Sequence, residues 1–229
     1  MRLSHYPINT AKETPAEAEV LSAEVLEPDV WTHLALTYDG AHMRIYVDGA
    51  LAGTRSLAGV TLASGGPLTI GCSPAEEEWF TGRIDEPRIY DRALGETEIA
   101  ADMESPIQTP RSGPVAAWSF DEGEGTTAED LTGDGHDGTI EAPATWTRGK
   151  YGDALHFGGD EGGCVTVPSS PALALGEEFT IEAWARSQDM QNEPIVFKEK
   201  EGGGSAPGRH RYRRTQRRAT PRVSPPPTS

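Results

Sequence analysis

Cysteine is almost missing from this chain: of 229 residues only Cys72 and Cys164 are cysteines. Two thiols exclude a disulfide framework and a four-ligand zinc site, and leave either one disulfide or two isolated buried thiols. Long apolar runs are missing too. No stretch of about 18 apolar residues occurs, so no membrane-spanning helix is expected. The N-terminal MRLSHYPINTAKETPAEAEV has one Arg but none of the apolar run of an export signal. Phosphate loops are absent, because GGDEGG (158–163) and EGGG (201–204) lack both the Lys-Ser/Thr ending and a following helix. Basic residues are scarce outside the last 25. Seven of the 20 Lys and Arg lie within residues 205–229, leaving 13 against 36 Asp and Glu, a body charge of about −23. Such a body repels nucleic acid and anionic membranes and attracts cations, so its expected partners are neutral or cationic.

What is present points to strands. Gly (26) and Pro (18) are frequent, with repeated Asp-Gly pairs, which favours short strands and tight turns over helices. In WTHLALTYDGAHMRIYVDGALAG, Leu34, Leu36 and Tyr38 share one face, and so do Met43, Ile45 and Val47. Asp39-Gly40 and Asp48-Gly49 fall between the runs, so an antiparallel meander is expected. GPLTIGC (66–72) and WFTGRIDEPRIY (79–90) supply further strands, and GETEIAADM (95–103) a short helix with Glu96 and Glu98 near its positive N-terminal end. After the Pro-rich ESPIQTPRSGP (104–114), strand signals resume at 115–120, 138–140, 154–157, 164–168, 179–187 and 193–200. The fold class expected is all-β.

Residues 28–104 resemble the C-terminal half of a LamG-like domain of the concanavalin A-like lectin/glucanase superfamily, through WTHLALTYDGAHMRIYVDGALAG, GPLTIGC and GRIDEPRIYDRALGETEI. Residues 114–204 are similar to the N-terminal half of a second such domain, through VAAWSFDEGEGTTAEDLTGDGHDGTI, TWTRGKYGDALHFGGDEGGCVTVP, LALGEEFTIEAWAR and PIVFKEKEGG. The resemblance implies a jelly-roll β-sandwich and a piece of a multi-repeat protein. It divides the chain into a partly ordered lead-in (1–27), the first half (28–104), a linker (105–113), the second half (114–204) and a tail (205–229). The family brings its first and last strands together, so RIDEPRIY and VAAWSF are expected to pair and close one sandwich in circularly permuted order. The alternative is two poorly ordered halves. The tail, SAPGRHRYRRTQRRATPRVSPPPTS, leaves the family pattern. A frameshift artefact, a linker and an anion-binding arm remain open for it, and disorder is expected in each case.

Asp130, Asp134 and Asp137 in DLTGDGHDG alternate with glycines, a pattern that can converge on calcium, which takes about six to eight oxygen ligands. The competing reading is a set of Asx turns. Asp85 lies where Asp85-Glu86-Pro87 breaks the strand alternation, which predicts a bulge. If 83–90 pairs with 115–120, Asp85 meets the loop carrying Asp121 and the two could hold a cation; otherwise Asp85 pairs with Arg83 or Arg88. Structural calcium is the cofactor the resemblance implies. Catalysis is not expected, because the Glu-x-Asp-x-Glu strand of the family's glucanases is absent and the carboxylates of EEEW (76–79) are consecutive. His33, His42, His136 and His156 are scattered, without a nucleophile motif. Trp31, Trp118, Trp146 and Trp184 read as core, while Trp79, with Glu77 and Glu78, reads as a sugar-stacking platform or a sheet cover. The function expected is a non-catalytic extracellular or cell-surface binding or adhesion module for a glycan or another extracellular protein. An accessory module of a glycoside hydrolase and a structural spacer are the alternatives.

Overall fold

Asp39-Gly40 and Asp48-Gly49 cut the first apolar run into β1 (Thr32–Tyr38), β2 (His42–Val47) and β3 (Ala50–Ser56). Asp48 and Gly49 both adopt positive φ (46° and 78°), as a two-residue type I′ hairpin requires. The expected faces meet in register, with Leu34 opposite Val47, Leu36 opposite Ile45 and Tyr38 opposite Met43. The structure is a computed structural model that describes residues 20, 22, 26–57, 65–74, 77–108, 113–159, 162–188 and 194–198. The tail 205–229, and all of 1–27 except Val20, Ser22, Leu26 and Glu27, lie outside the described residues.

The chain continues through β4 (Leu68–Ile70), β5 (Cys72–Ser73), β6 (Glu78–Trp79) and β7 (Thr81–Tyr90) to the helix α1 (Glu96–Met103). Beyond the linker come β8 (Ala116–Ala117), β9 (Thr127–Ala128), β10 (Gly138–Glu141), β11 (Thr145–Arg148), β12 (Asp153–Gly158), β13 (Cys164–Val167), β14 (Phe179–Ser187) and β15 (Val196–Lys198). One sheet runs β11-β12-β7-β14-β1-β2-β3, with β8 also on β7, and the other runs β15-β4-β13-β10-β9; every pairing is antiparallel. The fold is an antiparallel jelly-roll β-sandwich. β7 and β8 pair, with Arg88 opposite Ala117 and Ile89 opposite Ala116, so RIDEPRIY and VAAWSF meet as expected and strands from both sides of the linker build both sheets.

Between the sheets lies one apolar core, in which Phe80, Trp118, Phe120, Phe157 and Phe179 are fully buried. Side chains of this size each contribute about 1.5–3 kcal/mol by leaving water. The tryptophans divide differently from expectation. Trp118 is central and Trp146 packs at the core margin, but Trp184 is buried on the opposite face of β14, because Ala183 and Ala185 take the core-facing positions. Trp31 is only half-buried. On that outer face α1 lies over the sheet, with Ile99 against Ala35, Tyr46, Tyr90 and Leu94. Glu98 accepts from the Gly95 amide at the helix start (3.1 Å), which satisfies a donor that the first turn would otherwise leave bare.

Cys72 and Cys164 form a disulfide with Cα atoms 5.4 Å apart, joining β5 to β13 across a sequence separation of 92 residues. Closing a loop of that length restricts the unfolded chain, a contribution of about 4.6 kcal/mol in the chain-entropy treatment. Reduction, or Cys72→Ala, should therefore lower the unfolding free energy measured in urea by about that amount, with a steeper slope because the released unfolded chain exposes more surface; an unchanged free energy and slope would mean that the bridge does not constrain the unfolded chain.

Candidate functional site

The loop carrying Asp130 is a set of turns. The Asp130 carboxylate accepts from the Ala117 amide (3.2 Å), the Thr132 amide (3.1 Å), the Thr132 hydroxyl (2.8 Å) and the His136 amide (3.0 Å). Burial alone would raise its pKa, but these donors outweigh it and hold the carboxyl below its ordinary value. Asp137 accepts from the Asp130 amide (2.8 Å), and Asp134 is exposed with its amide on Thr132 Oγ1 (3.3 Å). The Asp130 and Asp137 carboxylates thus hold their own loop, Asp130 as an Asx turn does, while Asp134 takes part through its backbone amide. Among the described residues no group of three or more His, Cys, Asp or Glu side chains converges as a metal cage.

His136 finds the partner that its sequence neighbourhood lacks. Its Nε2 lies 2.9 Å from Ser170 Oγ, and its Nδ1 lies 3.2 Å from Asp130 Oδ2. Although these contacts follow a carboxylate, imidazole and hydroxyl order, the Nδ1 approach to Asp130 is too bent for a hydrogen bond. Ser170 Oγ also caps the 3-10 turn Pro171–Leu173 by accepting from the Leu173 amide (3.3 Å). The group braces the loop against that turn.

Asp85 and Asp121 come together at a second place. β7 carries an extra residue opposite Glu182–Trp184 of β14, the expected bulge, with Glu86 at φ 56°. The bulge turns Asp85 and Arg88 to the same outer face. Asp85 does not pair with Arg83 or Arg88 as one reading held. Its Oδ2 accepts from the Lys150 and Tyr151 amides (2.8 and 3.0 Å), Arg83 donates to the Arg148 carbonyl (3.2 Å), and Arg88 is spent on other carboxylates. Asp121 Oδ1 accepts from the Asp153 amide (2.7 Å), so both carboxylates clasp the turn between β11 and β12. Glycine is required there: a Cβ on Gly149 would sit 2.6 Å from Asp85 Oδ2, and one on Gly152, at φ +48°, only 1.9 Å from Asp121 Oδ1. Asp85 Oδ1 is buried and has no hydrogen-bond partner. Burial pushes the Asp85 carboxyl up to about 8, with Glu86 and Asp121 adding to the rise against the two amide bonds. Phe120, next to Asp121, also holds a positive φ of 56°, so left-handed backbone flanks both carboxylates.

Beside this pair, the outer face carries a buried charge layer that is invisible in the sequence. Arg88 Nη2 contacts Glu86 (3.0 Å) and its Nη1 contacts Glu182 (3.2 Å) and the Asp102 carbonyl (2.7 Å). Glu86 accepts from the Ile107 amide, which fixes the strap leaving α1. Burial raises the Glu182 carboxyl to about 8 even though Arg88 pulls it down. Lys150 Nζ stands 3.9 Å from the centre of the Trp184 ring, a cation–π contact, and His33 meets the same indole edge-on at 5.3 Å. Trp79 is half-buried in the β5–β6 hairpin, with its backbone opposite Cys72, Glu78 half-buried opposite Ser73 and Glu77 exposed.

Residues 3–100 match the family model of the Concanavalin A-like lectin/glucanases superfamily. A stretch of 91 residues, 38% of this chain, is 28% identical to the adhesion G-protein coupled receptor V1 of Danio rerio, covering 2% of that protein. A stretch of 84 residues, 34% of this chain, is 34% identical to pappalysin-1 of Mus musculus, covering 5% of it. The chain therefore spans a small fraction of the length of these curated relatives. No solved structure matches. No helix among the described residues is long and apolar enough to cross a membrane.

His33 generates a pH test. It is buried against Glu182 (3.9 Å) within reach of Arg88, Asp102 and Lys150. Burial first, then Arg88 and Lys150, depress its imidazole from 6.5 to about 3. The unfolded chain therefore binds the extra proton between those values, and the His33 contribution to stability falls as pH drops through that window, opposite in sign to the contributions of the raised Asp85 and Glu182 carboxyls. The His33 share is about 2 kcal/mol between pH 6.5 and 5. Between pH 6.5 and 5 the change in unfolding free energy of His33→Asn should differ from that of the unaltered chain by that amount, in the direction of less loss on acidification; identical changes in urea unfolding would show that His33 takes no part.

Proposed function

We propose that this chain is a non-catalytic extracellular binding or adhesion module whose rim is ordered by a calcium ion held by Asp85 and Asp121. The observation that carries the reading is the buried Asp85 Oδ1, which has no protein donor although its companion oxygen has two. A buried carboxyl oxygen left without a partner is costly, and burial accordingly favours its protonated form; a hard cation would displace that proton and satisfy the oxygen. Two carboxylates would supply the protein charge, and the other oxygens would come from backbone carbonyls and water, as calcium accepts. The superfamily match and the similarity to an adhesion receptor support an extracellular binding role in general. Carbohydrate is the ligand class that the half-buried Trp79 suits, with Glu77 and Glu78 accepting from sugar hydroxyls. A glycan array probed with the native chain and with Trp79→Ala tests that narrower assignment, which fails if no glycan distinguishes the two.

Calcium at about a hundredfold over its Kd should stabilise the fold by about 2.7 kcal/mol. That corresponds to a rise in Tm of about 5–10 °C for a domain of this size. Chelator should reverse the shift, and Asp85→Asn and Asp121→Asn should each abolish most of it. A full calcium response in both variants would overturn the assignment of these two residues.

A further inference from the structure

The segments on either side of the linker interdigitate instead of packing side by side. In the order β11-β12-β7-β14-β1-β2-β3, β7 and β1–β3 come from the first segment and β11, β12 and β14 from the second. β7 has no neighbour from its own segment, since its partners are β12, β14 and β8. β4 likewise lies between β13 and β15, and β1 adds a seven-residue ladder with β14. Without the second segment, β7 and β4 would show open backbone edges on both sides and half a core would face water. The strand pairs and the disulfide that cross this seam act between groups far apart in sequence. None of them depends on the two segments being parts of one chain.

We propose that this seam is a strand-complementation interface whose partner is a second copy of the same chain. Residues 113–198 of one copy close on residues 26–107 of the other, and reciprocally, so that each sandwich keeps every pairing of the monomer and only the path of the linker changes. Such an exchange is self-complementary and closes as a dimer. Contacts being equal in the two forms, the balance rests on the linker, which gives the intramolecular partner an effective concentration on the order of millimolar. The monomer prevails in dilute solution, and the exchanged dimer forms when unfolded copies refold at comparable concentration or are crowded on a surface.

The disulfide reports the exchange, because Cys72 belongs to the first segment and Cys164 to the second. Full-length Cys72→Ala and Cys164→Ala chains, mixed equally and refolded together at about 1 mM under oxidising conditions, should give a covalent heterodimer about tenfold in excess of either covalent homodimer. Refolding at about 10 μM should remove that excess. Absence of the heterodimer, or the binomial mixture that random thiol pairing gives, overturns the proposal. If either variant fails to refold, the unmodified chain is refolded as an equal mixture of ¹⁴N- and ¹⁵N-labelled copies. A Cys72–Cys164 peptide pair of mixed isotope supports exchange, and uniformly matched isotopes overturn it.

Discussion

Everything in this molecule depends on β7 finding partners from the other side of the linker. A strand of ten residues, buried over most of its length, has more than a dozen backbone donors and acceptors to satisfy, and none of its sheet neighbours is local. β12 pairs Thr81–Ile84, β14 runs from Gly82 to Tyr90, and β8 takes Arg88 and Ile89. Buried backbone groups tolerate no vacancy, so closure is close to all-or-none. Phe80 and Ile84 on one side of the seam, and Phe157 and Trp118 on the other, complete a core that neither segment contains alone. The disulfide then fixes β5 against β13 at the edge of the same seam.

The bulge in β7 has a second effect, because one extra residue re-aims everything after it. Without it, strict alternation would send Arg88 into the apolar core; with it, Arg88 joins Asp85 on the outer face beneath α1. There one guanidinium meets Glu86, Glu182 and Asp102. Buried ion pairs of this kind add little net stability, since desolvation offsets the attraction, yet removing one member strands the others at a cost of about 3–5 kcal/mol. What the layer secures is position: Arg88 donates to the Asp102 and Ser105 carbonyls and Glu86 accepts from the Ile107 amide, so the chain leaving α1 is tied down before it crosses to the second segment.

Local chemistry was legible in the sequence, and long-range chemistry was not. The period-two faces and Asp-Gly turns of β1 and β2 follow from residues within reach of one another, and so does the β7 bulge at Asp85-Glu86-Pro87. β9 and β11 escaped because they are short and mostly polar, leaving no alternation to detect. Arg88 and Glu182 stand 94 residues apart, and His136 and Ser170 stand 34 apart, so no spacing rule could pair them. In the 130–137 segment the Asp130 carboxylate accepts from the Thr132 and His136 amides, local contacts that the alternation of Asp and Gly in the sequence could not separate from a calcium loop. The meeting of 83–90 with 115–120 came from the resemblance, because a permuted order leaves no periodic mark.

The candidate cation site and the seam are one problem in thermodynamics. Asp85 comes from the first segment, while Asp121 and the turn both carboxylates clasp come from the second, so the site does not exist until the segments close. A ligand that binds only the closed form stabilises closure, and the more so the further its concentration exceeds its Kd. The left-handed backbone at Glu86 and Phe120, costing about 1–3 kcal/mol each, lies beyond the same end of the β7–β8 ladder, beside those carboxylates. Closure therefore has to hold that strain, and a cation between Asp85 and Asp121 would offset it where it is stored. Affinity for such a cation and the affinity of one segment for the other would then be reciprocal quantities, each raised by the other to the same degree.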